Sequence, residues 1–294
     1  MMVMIANLIH ELDFPEEAIA SLKRDHKAMA ALPGGEERLK EAARNMLTAE
    51  GISFHETAKA LSAQSGVHLY TVELMVQLYA AIPLRKIYQE KGYSDVLYLD
   101  TMKDIPCKMM ECHGVHGIWG TIASDWQQGF FRCKRFSLGR LQYEEFPLPI
   151  ENYKSYKKGD IVYNCHIPSG GSMPMKAVME SFKKAYAFYR SQLKDGILPV
   201  HLHSWLIYPG HYEVYSEGSN LRKFYDLFDV LEPVEKPENP YLWRVFGVET
   251  CEDYTALPEK TSLQRRFKEY LLSGKCMGSA RGMLLFDGEK ILPH

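Results

Sequence analysis

Polar side chains recur at every second position in three short runs whose composition is typical of β-strands. Run by run, they are Arg140, Gln142 and Glu144; Asn164 and His166; and His201 and His203. Because successive side chains of a strand point to opposite faces, each set lies on one face of its strand. A polar face on a central strand is costly unless its groups are hydrogen-bonded or serve a ligand. We therefore expect these faces to form either a site or a hydrogen-bond network that orders a sheet.

These residue types suit the removal of a proton from an amine. Histidine titrates near neutral pH without any perturbation, as a general base requires. Glu144 and His166 are the first candidates for the base or for binding a substrate ammonium group, followed by His203. Arg140 is expected to pair with Glu144 or to receive an anionic group. The residues expected to contact the substrate are Arg140, Gln142 and Asn164.

A glycine turn follows the second of these runs. The strand-like segment 159–168 leads into Ser169-Gly170-Gly171 and then into a long amphipathic segment. Glycines let the backbone approach a ligand, and the free N–H groups at a helix start favour an anion such as phosphate. No GKS or GKT follows, and no GxGxxG follows a strand, which argues against a P-loop and a dinucleotide fold. The turn is therefore either an anion site or a plain tight connection.

The elements that must hold these residues change character near residue 130. Helices are expected over 15–32, 36–50 (ending at Gly51), 53–61 and 71–88, and helix is favoured over 119–128. Later, strands are expected over 131–146, 159–168, 198–209, 241–249 and 281–288, helices over 172–193, 219–231 and 262–274, and connectors over 148–158 and 232–240. This order predicts an α/β or α+β fold with a mixed sheet. The expected domains are a helical one, 1–130, and a mixed-sheet one, 131–294.

Four runs resemble a family of bacterial acyltransferase-like proteins. They are SLGRLQYEEF at 137–146, YNCHIPSGGSM at 163–173, HLHSWLIYP at 201–209 and EGSNLRKFYDLF at 217–228. In that family a helical N-acyltransferase N-terminal domain precedes a GNAT-like C-terminal domain. The resemblance implies transfer of an acyl group from acetyl-CoA or another acyl-CoA to a small amine or amino group, by direct attack of the amine.

The resemblance also implies where coenzyme A binds. In the GNAT fold, the loop after the fourth strand holds the pyrophosphate through backbone N–H groups, and pantetheine lies between that strand and the next. The implied cofactor-binding residues are Ile167, Ser169, Gly170, Gly171, Ser172 and Met173. Many GNAT enzymes have a tyrosine seven residues after an asparagine, whereas Leu227 stands at that spacing from Asn220. A non-catalytic module that binds acyl-CoA or another ligand is therefore the alternative.

Composition narrows the remaining classes of function. The 294 residues carry a formal net charge of −2 and are 46% hydrophobic, so a nucleic-acid partner is not expected. The opening residues lack a cationic start, and no run of about 18 apolar residues occurs, so we expect no signal peptide, no membrane span and a cytoplasmic location. The six cysteines include no CxxC, which favours reduced thiols.

A metal site has little support in the sequence. Cys112, His113 and His116 could ligate zinc together with His201 and His203 only if all of them converged. No metal is expected, and a metal-dependent hydrolase is the third hypothesis. The oligomeric state is left open.

Overall fold

The computed structural model describes residues 2–48 and 53–293, and the chain forms two compact units. The first unit runs to Ser137 and includes Pro168–Gly170, while the second comprises Leu138–Ile167 and the residues from Gly171 onward. The domain boundary expected between residues 130 and 131 stays a prediction.

The first unit is helical. Its helices are α1 (Met2–Glu11), α2 (Glu16–Ala30), α3 (Gly35–Thr48), α4 (Phe54–Ser65), α5 (Leu69–Glu90), α6 (Asp95–Met102), α7 (Asp104–His116) and α8 (Ser124–Phe131). Every residue of α5 from Thr71 to Ala81 is buried. A helix buried all round lies at the centre of its unit. None of the described helices combines the length and the apolar content needed to cross a bilayer.

The expected N-terminal helices are confirmed, with one change in position. Helix α2 lies within 15–32, whereas α4 runs past the expected end of 53–61 and α5 extends beyond both ends of 71–88. Helix α3 is described as far as Thr48, so its expected stop at Gly51 lies outside the described residues. The helix favoured over 119–128 instead starts at Ser124. A Cβ on Gly120 would lie 2.5 Å from the backbone of Tyr70, so this close approach holds the preceding segment in an irregular path.

The second unit is built on a mixed sheet. The strands of the protein are β1 (Arg135–Leu138), β2 (Leu141–Pro147), β3 (Asn152–Tyr153), β4 (Tyr156–Lys157), β5 (Ile161–His166), β6 (Leu198–Ser204), β7 (Asp229–Glu235) and β8 (Gly278–Phe286). The six-stranded sheet has the order β1-β2-β5-β6-β8-β7, and β3 and β4 form a separate hairpin. Strands β5 and β6 are parallel, while β2–β5, β6–β8 and β7–β8 are antiparallel. The mixed sheet agrees with the expected fold class.

Helix α9 (Met175–Tyr189) packs on one face of this sheet, against β2 and β6. The other helices described in this unit are α10 (Asn220–Tyr225), α11 (Leu242–Phe246) and α12 (Ser262–Leu272). The buried side of α9 includes Val178, Phe182 and Ala185, and its Ser181 hydroxyl lies 3.3 Å from the Tyr143 hydroxyl of β2. On the opposite face an apolar cluster joins the β3–β4 hairpin to Val162 and Met283. The polar residues of the central strands lie on this second face.

Three expected elements of this unit are wrong in part. Strand β6 ends at Ser204, so Trp205 and Ile207 lie in a short 3₁₀ turn and do not continue the face of His201. Residues 229–235, expected as the end of a helix and the start of the connector 232–240, form strand β7. The expected strand 241–249 contains helix α11.

Candidate active site

Strand pairing brings the predicted polar residues together on one face. In the antiparallel β2–β5 ladder, Gln142 stands opposite His166 and Glu144 opposite Asn164. In the parallel β5–β6 ladder, Asn164 stands beside His201. Three neighbouring strands therefore contribute adjacent polar side chains.

The centre of the site is a carboxylate–imidazole pair. Glu144 Oε1 lies 2.7 Å from His166 Nε2, and the two side chains are only 17% and 22% exposed. The Asn164 amide Nδ2 lies 3.3 Å from the same Glu144 oxygen. Two hydrogen-bond donors thus converge on Glu144 Oε1, as an ionised carboxylate requires. This pair can accept a proton.

His201 extends this network into the interior. It is 2% exposed, and its Nδ1 lies 2.8 Å from Asn164 Oδ1. Burial, followed by the charges of Arg281, His203 and His166, lowers the pKa of His201 to about 4. Strand alternation had placed His201 on this face, but its residue type gave no sign that it would bond to Asn164.

His203 lies farther along the same face and bonds elsewhere. Its ring is partly buried, and its Nε2 is 3.2 Å from Ser279 Oγ of β8. Burial of the ring lowers its pKa, with Arg281 and Lys236 adding to the effect. His203 is therefore neutral near pH 7 and can accept a proton at the open side of the face.

The opposite face of β5 is closed to chemistry. Cys165 is 1% exposed and stands opposite Tyr143, on the side covered by α9. Burial raises the pKa of the Cys165 thiol well above its usual range. The thiol stays protonated, and strand alternation separates it from His166, so the two do not form a nucleophile–base pair.

The glycine turn is held from one side by Arg140. This residue lies in the β1–β2 turn rather than in the strand, and its guanidinium donates to the carbonyl oxygens of Ser172 (2.9 Å) and Gly171 (3.3 Å). Gly171 has φ +78°, a left-handed conformation that favours glycine. In a trans peptide the N–H points opposite to the C=O, so the N–H groups of Ser172 and Met173 point away from Arg140.

The start of α9 adds further N–H donors. Pro174 precedes the helix without a side-chain cap, and the first turn contains no acidic residue. Lys176 in that turn is exposed. The positive end of the helix dipole, the exposed Lys176 and the N–H groups at the helix start together favour an anion.

Three further cofactor-binding candidates are placed differently: Ser169 and Gly170 in the turn, and Ile167 at the end of the preceding strand. Ser169 and Gly170 belong to the first unit, where the Ser169 hydroxyl donates to the Glu111 carboxylate and lies 3.4 Å from Cys107 Sγ. Ile167 is half-buried directly after β5. The Ser169 side chain is therefore already engaged.

The parallel strands beside the site separate at the polar residues. The pairing of β5 with β6 comprises Tyr163–Val200 and Asn164–His201, although the strands run on to His166 and Ser204.

The described residues form neither a metal site nor the usual pairing of a helix tyrosine seven residues after an asparagine. Among the described residues, no group of three or more His, Cys, Asp or Glu side chains could hold a metal ion. Helix α10 ends at Tyr225, whose ring packs on Tyr212 at 4.8 Å. Burial raises the pKa of Tyr225, followed by the effects of Tyr212 and Asp226.

Comparison with known families and structures covers nearly the whole chain. Residues 4–133 match the N-acyltransferase N-terminal domain, and residues 136–284 match the GNAT-like C-terminal domain. No protein of curated function matches the sequence.

The fold is shared with solved acyltransferases. One, in complex with decanoyl-CoA and teicoplanin, is 18% identical, with a TM-score of 0.72 over 98% of this chain and 87% of the other. Another, in complex with decanoyl-CoA, is 21% identical, with a TM-score of 0.70 over 95% of this chain and 86% of the other. At this identity the likeness establishes the fold.

Proposed function

Because the chain belongs to the family that joins an N-acyltransferase N-terminal domain to a GNAT-like C-terminal domain, we propose that it transfers an acyl group from acyl-CoA to an amine. The observation that carries the proposal is the Glu144–His166 pair, which lies where the parallel strands β5 and β6 stop pairing. This position supports the assignment of the pair as a base beside the space in which GNAT proteins hold pantetheine.

The turn before α9 is the proposed pyrophosphate site. The N–H groups of Ser172 and Met173 and the start of α9 would supply donors, and Lys176 would supply positive charge, while Arg140 would hold the turn from its carbonyl side. Pantetheine would then extend from this turn along the end of β5, so that its thioester reaches the level of His166.

The reaction proceeds by direct attack. The Glu144–His166 pair takes a proton from the substrate ammonium group, and the free amine attacks the thioester carbonyl carbon. A C–N bond forms, the C–S bond breaks, and the coenzyme leaves as a thiolate that takes up a proton. The products are an amide and free coenzyme A, with one proton released to solvent. Backbone N–H groups beside the carbonyl would stabilise the developing oxyanion.

The proposed acyl donors are medium-chain acyl-CoAs. The similar acyltransferases are in complex with decanoyl-CoA and, in another structure, octanoyl-CoA. The proposed acceptor is a small molecule with an amino group, whose ammonium form the Glu144 carboxylate can attract.

The test is release of free coenzyme A thiol from decanoyl-CoA in the presence of a panel of amines. Replacing Glu144→Gln or His166→Ala should lower kcat by roughly 10²-fold or more, the usual contribution of a general base. Affinity for decanoyl-CoA, measured by calorimetry, should change little. The matched control is Glu145→Gln, the next residue on β2, whose side chain is exposed and points to the other face.

Two results would contradict the proposal in different ways. Parent-like rates in both variants would show that the base lies elsewhere. A parent that binds decanoyl-CoA but transfers nothing to any amine would favour a non-catalytic acyl-CoA-binding module. The engaged Ser169 hydroxyl and the leucine at the position of the usual tyrosine support that second candidate.

A further inference from the structure

We propose that His201 is a positioning residue, which acts through the Asn164 amide to fix which atoms of the Glu144–His166 pair carry protons. The inference rests on the proposed acyl transfer and deepens it. Its basis is a continuous hydrogen-bonded row across three strands, from His166 on β5 to Glu144 on β2, back to Asn164 on β5 and on to His201 on β6.

The row determines the orientation of the Asn164 amide. Asn164 Oδ1 faces His201 Nδ1 at 2.8 Å, and Asn164 Nδ2 faces Glu144 Oε1 at 3.3 Å. Asn164 Nδ2 also lies 3.2 Å from His166 Nε2, but the reverse orientation would place the amide oxygen against the carboxylate oxygen of Glu144, an unfavourable pair of acceptors. The hydrogen-bond pattern therefore assigns a proton to His201 Nδ1.

This assignment leaves the other ring nitrogen of His201 as a buried lone pair. Among the described residues, His201 Nε2 has no hydrogen-bond partner. With the opposite tautomer, an N–H would be buried without an acceptor as well. Neutral His201 has one ring proton, and it donates that proton to Asn164 Oδ1. We infer that the ring is buried in order to make this contact.

The consequence reaches the proposed base. With Asn164 Nδ2 donating to Glu144 Oε1, the carboxylate is held ionised and in place, and it accepts the Nε2 proton of His166. When His166 is protonated at Nε2, its Nδ1 is the unprotonated ring nitrogen and would take the proton from the amine. Without His201, the Asn164 amide can rotate, and Glu144 Oε1 loses the hydrogen bond from Asn164 Nδ2.

The surroundings keep His201 in the donor form. Burial first, and then the charges of Arg281 on β8, His203 on β6 and His166 on β5, disfavour its protonation. The Phe146 ring on β2 stacks on the imidazole with centroids 5.5 Å apart. His201 therefore stays neutral across the pH range in which an amine base works.

The test compares His201→Leu with His201→Asn. Leucine removes the donor, whereas asparagine places an amide N–H near the position of the lost Nδ1. The leucine variant should lose about tenfold in kcat. This loss is expected when Asn164, which donates to the charged Glu144, loses its own hydrogen bond from His201. Its KM for decanoyl-CoA should stay near the parent value, and the acidic limb of its pH–rate profile should move. Asparagine should restore most of the rate.

A double-mutant cycle separates positioning from general damage. Asn164→Leu combined with His201→Leu should cost little more than Asn164→Leu alone, because His201 acts through that amide. The matched control is His211→Leu, which removes another fully buried imidazole of the same unit. It should destabilise the protein and leave the pH–rate profile unchanged.

A second readout does not depend on turnover. Nitrogen-15 NMR of the full chain should show His166 protonated at Nε2 in the parent and in His201→Asn, and a mixture of tautomers in His201→Leu. An unchanged tautomer and pH profile in His201→Leu would overturn the inference even if the parent is active. A parent without transfer would overturn the proposed function instead, while the NMR comparison would still decide the role of His201.

Discussion

At the scale of single residues, burial makes two histidines neutral. His211 is fully buried, its Nδ1 lies 2.8 Å from the Trp205 carbonyl oxygen, and its Nε2 accepts the Gly278 N–H at 3.3 Å. Burial lowers the pKa of His211 to about 4, as it does for His201. Both rings must gain a proton when the chain unfolds in mild acid.

The free energy of unfolding should therefore fall as the pH drops from about 6.5 to about 4. Over that range the unfolded chain binds more protons, so each ring contributes a slope of up to about 1.4 kcal/mol per pH unit. His211→Leu should be less stable than the parent at pH 7, because Gly278 N–H and the Trp205 carbonyl lose a partner, but its slope should be smaller. Urea unfolding between pH 4 and pH 7.5 measures both. An unchanged slope would show that His211 does not titrate in this range.

The residues of the site were predictable as a set, but their partners were not. Alternation along single strands placed Glu144, Asn164 and His166 on polar faces. The register between strands decides which of these side chains meet, and single-strand patterns do not contain it. Arg140 was expected in the polar row of β2, yet it lies in the turn because Gly139, at φ +88°, reverses the chain there.

At the scale of elements, long periodic segments were predictable and short apolar runs were not. The amphipathic pattern of 172–193 predicted α9, because apolar residues that recur at helical spacing over so long a segment fit a helix and not a strand. The run 241–249 is rich in aromatic and β-branched residues, but Leu242 and Phe246 are buried four residues apart, and Gly247 ends the helix at φ +73°. Strand β7 contains Pro233 and glutamates, which an edge strand tolerates and a central strand does not.

The start of α9 yields a prediction for coenzyme binding. Lys176→Glu places a negative charge in the first turn, where it favours the helix but repels a pyrophosphate. Binding of decanoyl-CoA should weaken by about 1 kcal/mol or more, roughly fivefold in Kd, and the loss should shrink at high salt. The control is Lys183→Glu, the same charge change at an exposed position in the middle of α9. Equal losses in both variants would argue for a general charge effect and against a pyrophosphate at this turn.

At the scale of the whole molecule, the second unit is assembled from distant parts of the chain. Strand β8, at 278–286, pairs with both β6 and β7, so the central sheet is complete only when the end of the chain has joined it. The family matches at 4–133 and 136–284 follow the change from helical to mixed-sheet structure. The proposed site depends on β2, β5 and β6 together, and thus on the folded state of this unit.

Coenzyme binding should therefore stabilise the protein by mass action. A ligand that binds only the folded state at 100 times its Kd adds about 2.7 kcal/mol to the free energy of unfolding. Decanoyl-CoA should raise the thermal midpoint in a concentration-dependent way, and Lys176→Glu should need more ligand for the same shift. Free coenzyme A should act through the turn before α9 alone and give a smaller shift at equal concentration. The absence of any shift with decanoyl-CoA, in a parent that unfolds cooperatively, would show that the folded chain does not bind the proposed donor.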